Sequence, residues 1–201
     1  QIKMKECFKF PQPTRIYLIE TEDPSALVEA KRLIRQLYNI GNDSVHINDT
    51  HEETLRIATS VFNANSVNFL NNCNPRYFNN FHTYFTMLKK WAATNQVETD
   101  KLCVDASAVL SVYGLRECRD VDFLYLGDHI ETNTHDFSCH NGETKYYPMH
   151  KDEVIVNPGH HFYYQGIKFA TPEVVKTMKQ VRCEEKDLKD IQLINTIGRK
   201  T

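Results

Sequence analysis

One segment constrains this chain more than any other: Leu102-Cys-Val-Asp105-Ala-Ser107, a run of apolar residues to Tyr113, then Gly114-Leu-Arg116-Glu-Cys-Arg119-Asp120-Val-Asp122-Phe-Leu124. It reads as a buried strand, a short helix, a glycine turn carrying two arginines, and a second strand. Alternate residues of a strand share a face. Asp120 and Asp122 therefore project together, while Val121 and Phe123 bury the opposite side. Two neighbouring carboxylates repel unless a cation stands between them. Such a pair suits Mg²⁺ or Mn²⁺ handling a phosphate-bearing donor.

The flanks alternate in period. Ile16 to Glu20 reads as a buried strand, and Asp23-Pro24-Ser25 opens a helix whose apolar residues keep a 3.6 spacing to Leu37. Ser44 to Ile47 reads as a second strand, a helix carries Leu55, Ala58, Val61 and Phe62 on one face, and Ser66 to Leu70 reads as a third strand. That order predicts a β-α-β-α-β lobe with a small parallel sheet over residues 1–74. The turn-rich Asn71-Asn-Cys-Asn-Pro75 separates it from a second lobe, 75–201, with one compact domain as the alternative. A long helix follows, with a core-facing aromatic stripe from Tyr77 to Trp91. Residues 127–152 are polar and read as a loop or lid. Strands are expected at 152–156, 161–164 and 167–170, the last two joined by Gln165-Gly166. Helices follow from Pro172 and over Glu184 to Ile194. The fold class expected is α/β.

A net charge of −2 with dispersed Lys and Arg offers no general attraction to nucleic acid. No apolar run reaches bilayer length. Six scattered cysteines (Cys7, Cys73, Cys103, Cys118, Cys139, Cys183) form no C-x-x-C pair, which favours reduced thiols and a cytoplasmic location. The chain opens on Gln1, which points to a processed protein or a domain cut from a longer one, so further domains are expected.

Over residues 100–196 the chain resembles the nucleotidyltransferase superfamily with the DNA polymerase β fold, nearest its abortive-infection toxin and small-ligand branches. Arg116, Arg119, Asp120, Val121, Asp122 and Phe123 stand in matching places. Tyr164 to Phe169, an apolar helix, and Glu185-Lys-Asp187-Leu-Lys-Asp190-Ile resemble the R-x-K-D-x-x-D-I region that closes such domains. The resemblance implies that Asp120 and Asp122 hold the metal and that Arg116 and Arg119 bind donor phosphates. It also implies a mixed-sheet lobe, and the arrangement expected for the whole chain is that lobe packed on the β-α-β lobe with the active cleft between them.

The paired small residues of that family are here Asp105-Ala106-Ser107. A carboxylate there places negative charge where a triphosphate would lie, whereas a metal-held nucleoside diphosphate tolerates it better. Asp105 is expected to be a third ligand, a contact to a sugar hydroxyl, or the base, with Asp152 or Glu153 as the alternative third carboxylate. Ser107 and Lys168 are further donor-binding candidates.

In the first lobe, His46-Ile-Asn48-Asp49-Thr50-His51-Glu52-Glu53 makes a capping box at a helix start. It also lies where open α/β sheets place ligands. His46 and Asp49 are therefore donor-binding candidates and His51 a catalytic one. This stretch resembles parts of multidomain glycan-assembly proteins. The expected activity is metal-dependent transfer of a sugar from a nucleoside-diphosphate sugar to a glycan or other hydroxyl acceptor. The alternatives are nucleotidyl transfer from a nucleoside triphosphate to a protein, RNA or small molecule, and a degenerate domain that only binds a ligand or partner.

Overall fold

A computed structural model describes residues 14–198. Contacts divide the chain into two units, Gln1–Ala58 and Thr59–Thr201. The expected Cys7 thiol lies outside the described residues. No described helix is long and apolar enough to cross a membrane.

In the first unit, α1 (Pro24–Tyr38) starts where Asp23 Oδ1 accepts the Ser25 N–H at 2.9 Å, and ends at Asn39 in the left-handed region. α2 (His51–Val61) starts in this unit. Both helices fall where the 3.6 spacing put them. The strands expected at 16–20 and 44–47 are not formed; the described residues of this unit contain no strand. Their backbones have no neighbouring ladder, and an apolar run becomes a strand only when it is paired.

The third expected strand is a helix, α3 (Ala64–Asn72). The Asn63 side chain caps it by accepting the Ser66 N–H at 2.8 Å, and that local bond outweighs the strand-like apolar run. Asn65 then ties α3 to the second unit, donating to the carbonyl oxygens of Pro158 at 2.9 Å and His161 at 3.2 Å. The division thus falls before α3, not at residues 71–75.

The second unit is a mixed α/β layer structure. α4 (Asn79–Thr94) carries the aromatic stripe, with Phe81, Phe85, Leu88 and Ala92 buried. β1 (Leu102–Val104), α5 (Ala106–Val112), β2 (Val121–Tyr125), β3 (Phe137–Cys139), β4 (His161–Tyr164) and β5 (Ile167–Ala170) follow. The strands form one sheet in the order β3-β2-β1-β5-β4. β1 runs antiparallel to β2 and parallel to β5; β2 and β3 are parallel, and β4 and β5 form the expected hairpin. The register sets Val104 against Phe123 and Phe169. One face therefore presents Val104, Phe123 and Phe169 to the helices, with the Trp91 ring 5.7 Å from Phe137 and Phe85 5.4 Å from Phe169. The other face carries Cys103, Asp122, Leu124 and Ser138.

Residues 152–156, expected as a strand, are part of a short helix, α6 (Lys151–Val156). His150 Nδ1 accepts the Asp152 N–H at 3.3 Å, and Asp152 and Glu153 favour the first turn of a helix electrostatically. α6 packs on β1, β2 and β5, with Val154 and Ile155 fully buried. The polar 127–152 stretch is less irregular than expected, since it contributes β3 and a 3₁₀ turn at Asn141–Tyr146. α7 (Pro172–Arg182) and α8 (Glu185–Ile194) end the unit as expected.

Gly114 has φ +77°, and a Cβ there would come 1.6 Å from the Asn74 carbonyl oxygen. The Asn74 N–H donates to Tyr113 O at 3.0 Å, so the backbone cannot retreat without losing that bond. Gly114→Ala is expected to destabilise the protein by about 3 kcal/mol or more in urea unfolding; a change below about 1 kcal/mol would show that the turn relaxes.

Candidate functional site

The site grows from the end of β1. Asp105 leaves the strand with its N–H donating to Asp122 O at 2.9 Å, which locks the two residues side by side across the antiparallel pair. Ala106, which opens α5, has φ +49°. An alanine in the left-handed region costs about 1 kcal/mol, so the surrounding packing holds this turn in place. Asp105 is fully buried and Ala106 is 4% exposed.

Asp122, 8% exposed, lies beside Ser138 of β3, whose hydroxyl donates to Asp122 Oδ1 at 3.0 Å. Two residues on, the His140 N–H donates to Phe123 O at 2.7 Å and fixes its ring at the sheet end. His140 Nε2 is 3.2 Å from Asp122 Oδ1, and Nδ1 is 3.6 Å from Asp105 Oδ1. The Tyr147 hydroxyl donates to the other oxygen of Asp105. One ring thus stands between two buried carboxylates, flanked by two hydroxyls.

Charge explains the arrangement. Burial alone pushes the His140 pKa down, but Asp105 and Asp122, with Glu143, outweigh it and raise it to about 9. The ring is therefore an imidazolium at neutral pH. Burial, with repulsion from Asp105 and Asp120, raises Asp122 to about 6 against the opposing pull of His140 and Ser138. Asp105 Oδ1 and His140 Nδ1 are buried without a hydrogen-bond partner, so that contact is Coulombic.

This geometry tests the expected metal ligands. No group of three or more His, Cys, Asp or Glu is arranged to hold a metal ion among the described residues. Asp105 does not fit as a third ligand, because it is sealed and faces the imidazolium. The same burial takes it out of reach of an acceptor as a base. Asp122 is divided: Oδ1 takes both local contacts, and no hydrogen bond among the described residues reaches Oδ2. Half-buried Asp120, two residues away and without a side-chain hydrogen bond among the described residues, repels Asp122. Asp122 Oδ2 and the Asp120 carboxylate are thus the oxygens of the expected pair left without a hydrogen bond among the described residues.

The two arginines differ. Arg116 makes a bidentate pair with Asp190, Nε to Oδ1 at 2.6 Å and a terminal nitrogen to Oδ2 at 2.7 Å, and its third nitrogen donates to Glu117 O at 2.8 Å. Asp190 also takes Lys179 Nζ at 2.8 Å, and Lys179 reaches Asp187 Oδ1 at 3.1 Å. Lys179, Asp187 and Asp190 are each 2% exposed or less. Despite burial, Arg182 and Lys179 hold Asp187 down at about 2. This network bolts the Gly114-Arg116 turn to α7 and α8. Arg119 is exposed and makes no ion pair among the described residues, which leaves it open to an anion.

Ser107 is half-buried in the first turn of α5. Lys168 pairs in register with Cys103, and its Nζ donates to Asp100 O at 2.6 Å, at the opposite end of β1 from Asp105. Asp152 and Glu153 lie in the first turn of α6, where Asp152 accepts from Lys151 at 2.7 Å and Glu153 from Asn157 at 2.7 Å.

In the first unit half of the expected Thr50–Glu53 capping box forms: Thr50 Oγ1 accepts the Glu53 N–H, while Glu53 Oε2 accepts the N–H of Asp49 rather than of Thr50, both at 3.1 Å. His46 Nε2 lies 3.1 Å from Glu53 Oε1, and Asp49 lies 3.6 Å from Lys31 Nζ. His51 is exposed at the first position of α2.

Ser138, His140 and Tyr147 were not singled out from sequence. A signal existed, because Phe137-Ser138-Cys139-His140 alternates with period two and sets Ser138 and His140 on one face. Comparisons with protein-family models, curated proteins and solved structures found no match.

Two outcomes follow from these charges. A His with a raised folded pKa stabilises most below its ordinary 6.5 and loses that contribution as pH rises towards 9. In EDTA, unfolding free energy is expected to fall across that window and to lose this slope in His140→Gln; an unchanged slope contradicts the imidazolium. Lys179→Met leaves two buried carboxylates short of a cation and is expected to cost about 3–5 kcal/mol in chemical denaturation, whereas a cost under about 1 kcal/mol would mean the network is not buried in solution.

Proposed function

We propose that this protein is a metal-dependent transferase that moves a sugar from a nucleoside-diphosphate sugar to a hydroxyl acceptor. The observation that carries this reading is the divided Asp122 carboxylate. His140 and Ser138 hold Oδ1, so Oδ2 is presented beside Asp120 in a fixed direction. A divalent ion bound there would supply the charge that stabilises a departing diphosphate. Arg119 donates to the same phosphates, while Arg116 keeps the turn in place through Asp190. His140 positions Asp122 and, being protonated, does not act as the base.

The start of α5 supports a diphosphate donor over a triphosphate. Asp105 and Ala106 are closed to solvent, so the turn offers no open backbone amides to cradle a triphosphate tail. The resemblance of the first unit to parts of glycan-assembly proteins supports a sugar as the transferred group. One observation favours nucleotidyl transfer instead: His140 neutralises Asp105, which removes the repulsion a triphosphate would meet.

With Mn²⁺ and a panel of sugar nucleotides, release of nucleoside diphosphate is expected, by hydrolysis where no acceptor is supplied. Asp120→Asn and Asp122→Asn are expected to reduce it about 100-fold or more, with folding checked by circular dichroism. Pyrophosphate release from a nucleoside triphosphate would overturn glycosyl transfer in favour of nucleotidyl transfer, and no turnover of either donor class would overturn both.

A further inference from the structure

The segment before β3 forms a pocket of about 430 Å³ whose wall reaches Ser138 and Cys139. Its volume is that of a small-molecule site. Two of its hydroxyls are spent on shaping the loop. Thr132 donates to Phe137 O at 2.8 Å, and Thr134 Oγ1 accepts the Asp136 N–H at 3.2 Å. The side chains of Asn133 and His135 make no hydrogen bond among the described residues and are exposed. Asn133 is held at φ +54°, so the loop tip has a defined conformation that an asparagine tolerates. His129 and Glu131 add a pair 3.3 Å apart, and Ile130 supplies an apolar surface.

The lining contains no Lys or Arg, and its one carboxylate, Glu131, disfavours a phosphate. What it offers is amide, imidazole and carboxylate groups around an apolar patch. That combination matches a neutral polyol ring, which presents hydroxyls at its rim and C–H groups on its face. Ser138 is shared: it lines the pocket and its hydroxyl holds Asp122 Oδ1. The pocket therefore lies against the carboxylate assigned to the metal.

We propose that this pocket binds a saccharide ring and delivers it to the Asp122 site. The identification of the ring as a reactant rests on the glycosyl-transfer reading; the binding itself does not. The ring belongs either to the acceptor or to the donor sugar, and the experiment separates the two.

Amide shifts of the full ¹⁵N-labelled chain are followed while cellotetraose, chitotetraose and mannotetraose are added in turn, and then UDP and UDP-glucose with Mg²⁺. Shifts at Asn133, His135 and Ser138 with a tetrasaccharide place the acceptor in the pocket. The same shifts with UDP-glucose but not with UDP place the donor sugar there. His135→Ala and Asn133→Gly, the latter keeping the positive φ accessible, are each expected to weaken binding about fivefold. Silence of residues 129–139 towards all of these probes, or variants that bind like the unaltered protein, overturns the proposal. Saccharide binding without nucleoside diphosphate release keeps the pocket and overturns the transferase reading. Release with a silent pocket does the reverse.

Discussion

The second unit is organised around a cation that it carries itself. Asp105 and Asp122 are brought together by the β1–β2 pairing, with the Asp105 N–H bonded to the Asp122 carbonyl. Two buried carboxylates at the end of a sheet cannot both stay ionised unless something positive stands between them. His140 does so, and its own position comes from the ladder: its N–H bonds Phe123 O, and Ser138 sits in register with Asp122. Backbone pairing thus decides which side chains meet, and their charges decide the protonation state. The consequence is directional: Oδ1 of Asp122 is occupied, and no hydrogen bond among the described residues reaches Oδ2.

A second set of charges does structural work at a distance from that face. Arg116 lies in the turn between α5 and β2, yet each of its three guanidinium nitrogens already donates to Asp190 or to a local carbonyl. Lys179 bridges Asp190 and Asp187, and Arg182 takes Asp187 as well. Such a network costs desolvation but is specific, since each carboxylate has two cationic partners and neither can be exchanged without stranding a charge. It separates the two arginines of the motif: Arg116 anchors the turn, and Arg119 faces solvent.

Much of the second unit was legible in the sequence. The strand–helix–turn–strand at 102–125, the β4–β5 hairpin, the aromatic helix and the proline-led α7 all carry local signals that the structure obeys. Four expected strands are absent for a physical reason. At 66–70 a side-chain cap from Asn63 sets a helix, and at 152–156 His150 does the same. At 16–20 and 44–47 the apolar residues suit a sheet, but a strand is a property of a pair and no ladder forms beside them. The site was half legible. Asp120 and Asp122 announce themselves by spacing, but His140 comes from a polar stretch 18 residues beyond Asp122, and only β2–β3 pairing brings it in. Asp105 reads as a carboxylate in place of a small residue, and the sequence carries no sign that His140 is its internal partner.

The account stands on the charge of His140. Its ring nitrogens can be observed directly by ¹⁵N NMR of imidazole-labelled protein in EDTA. At pH 8, below the raised pKa of about 9, both nitrogens are expected to carry protons. A neutral ring at pH 7 would contradict the account, because Asp105 and Asp122 would then have no cation between them and Asp122 no fixed orientation.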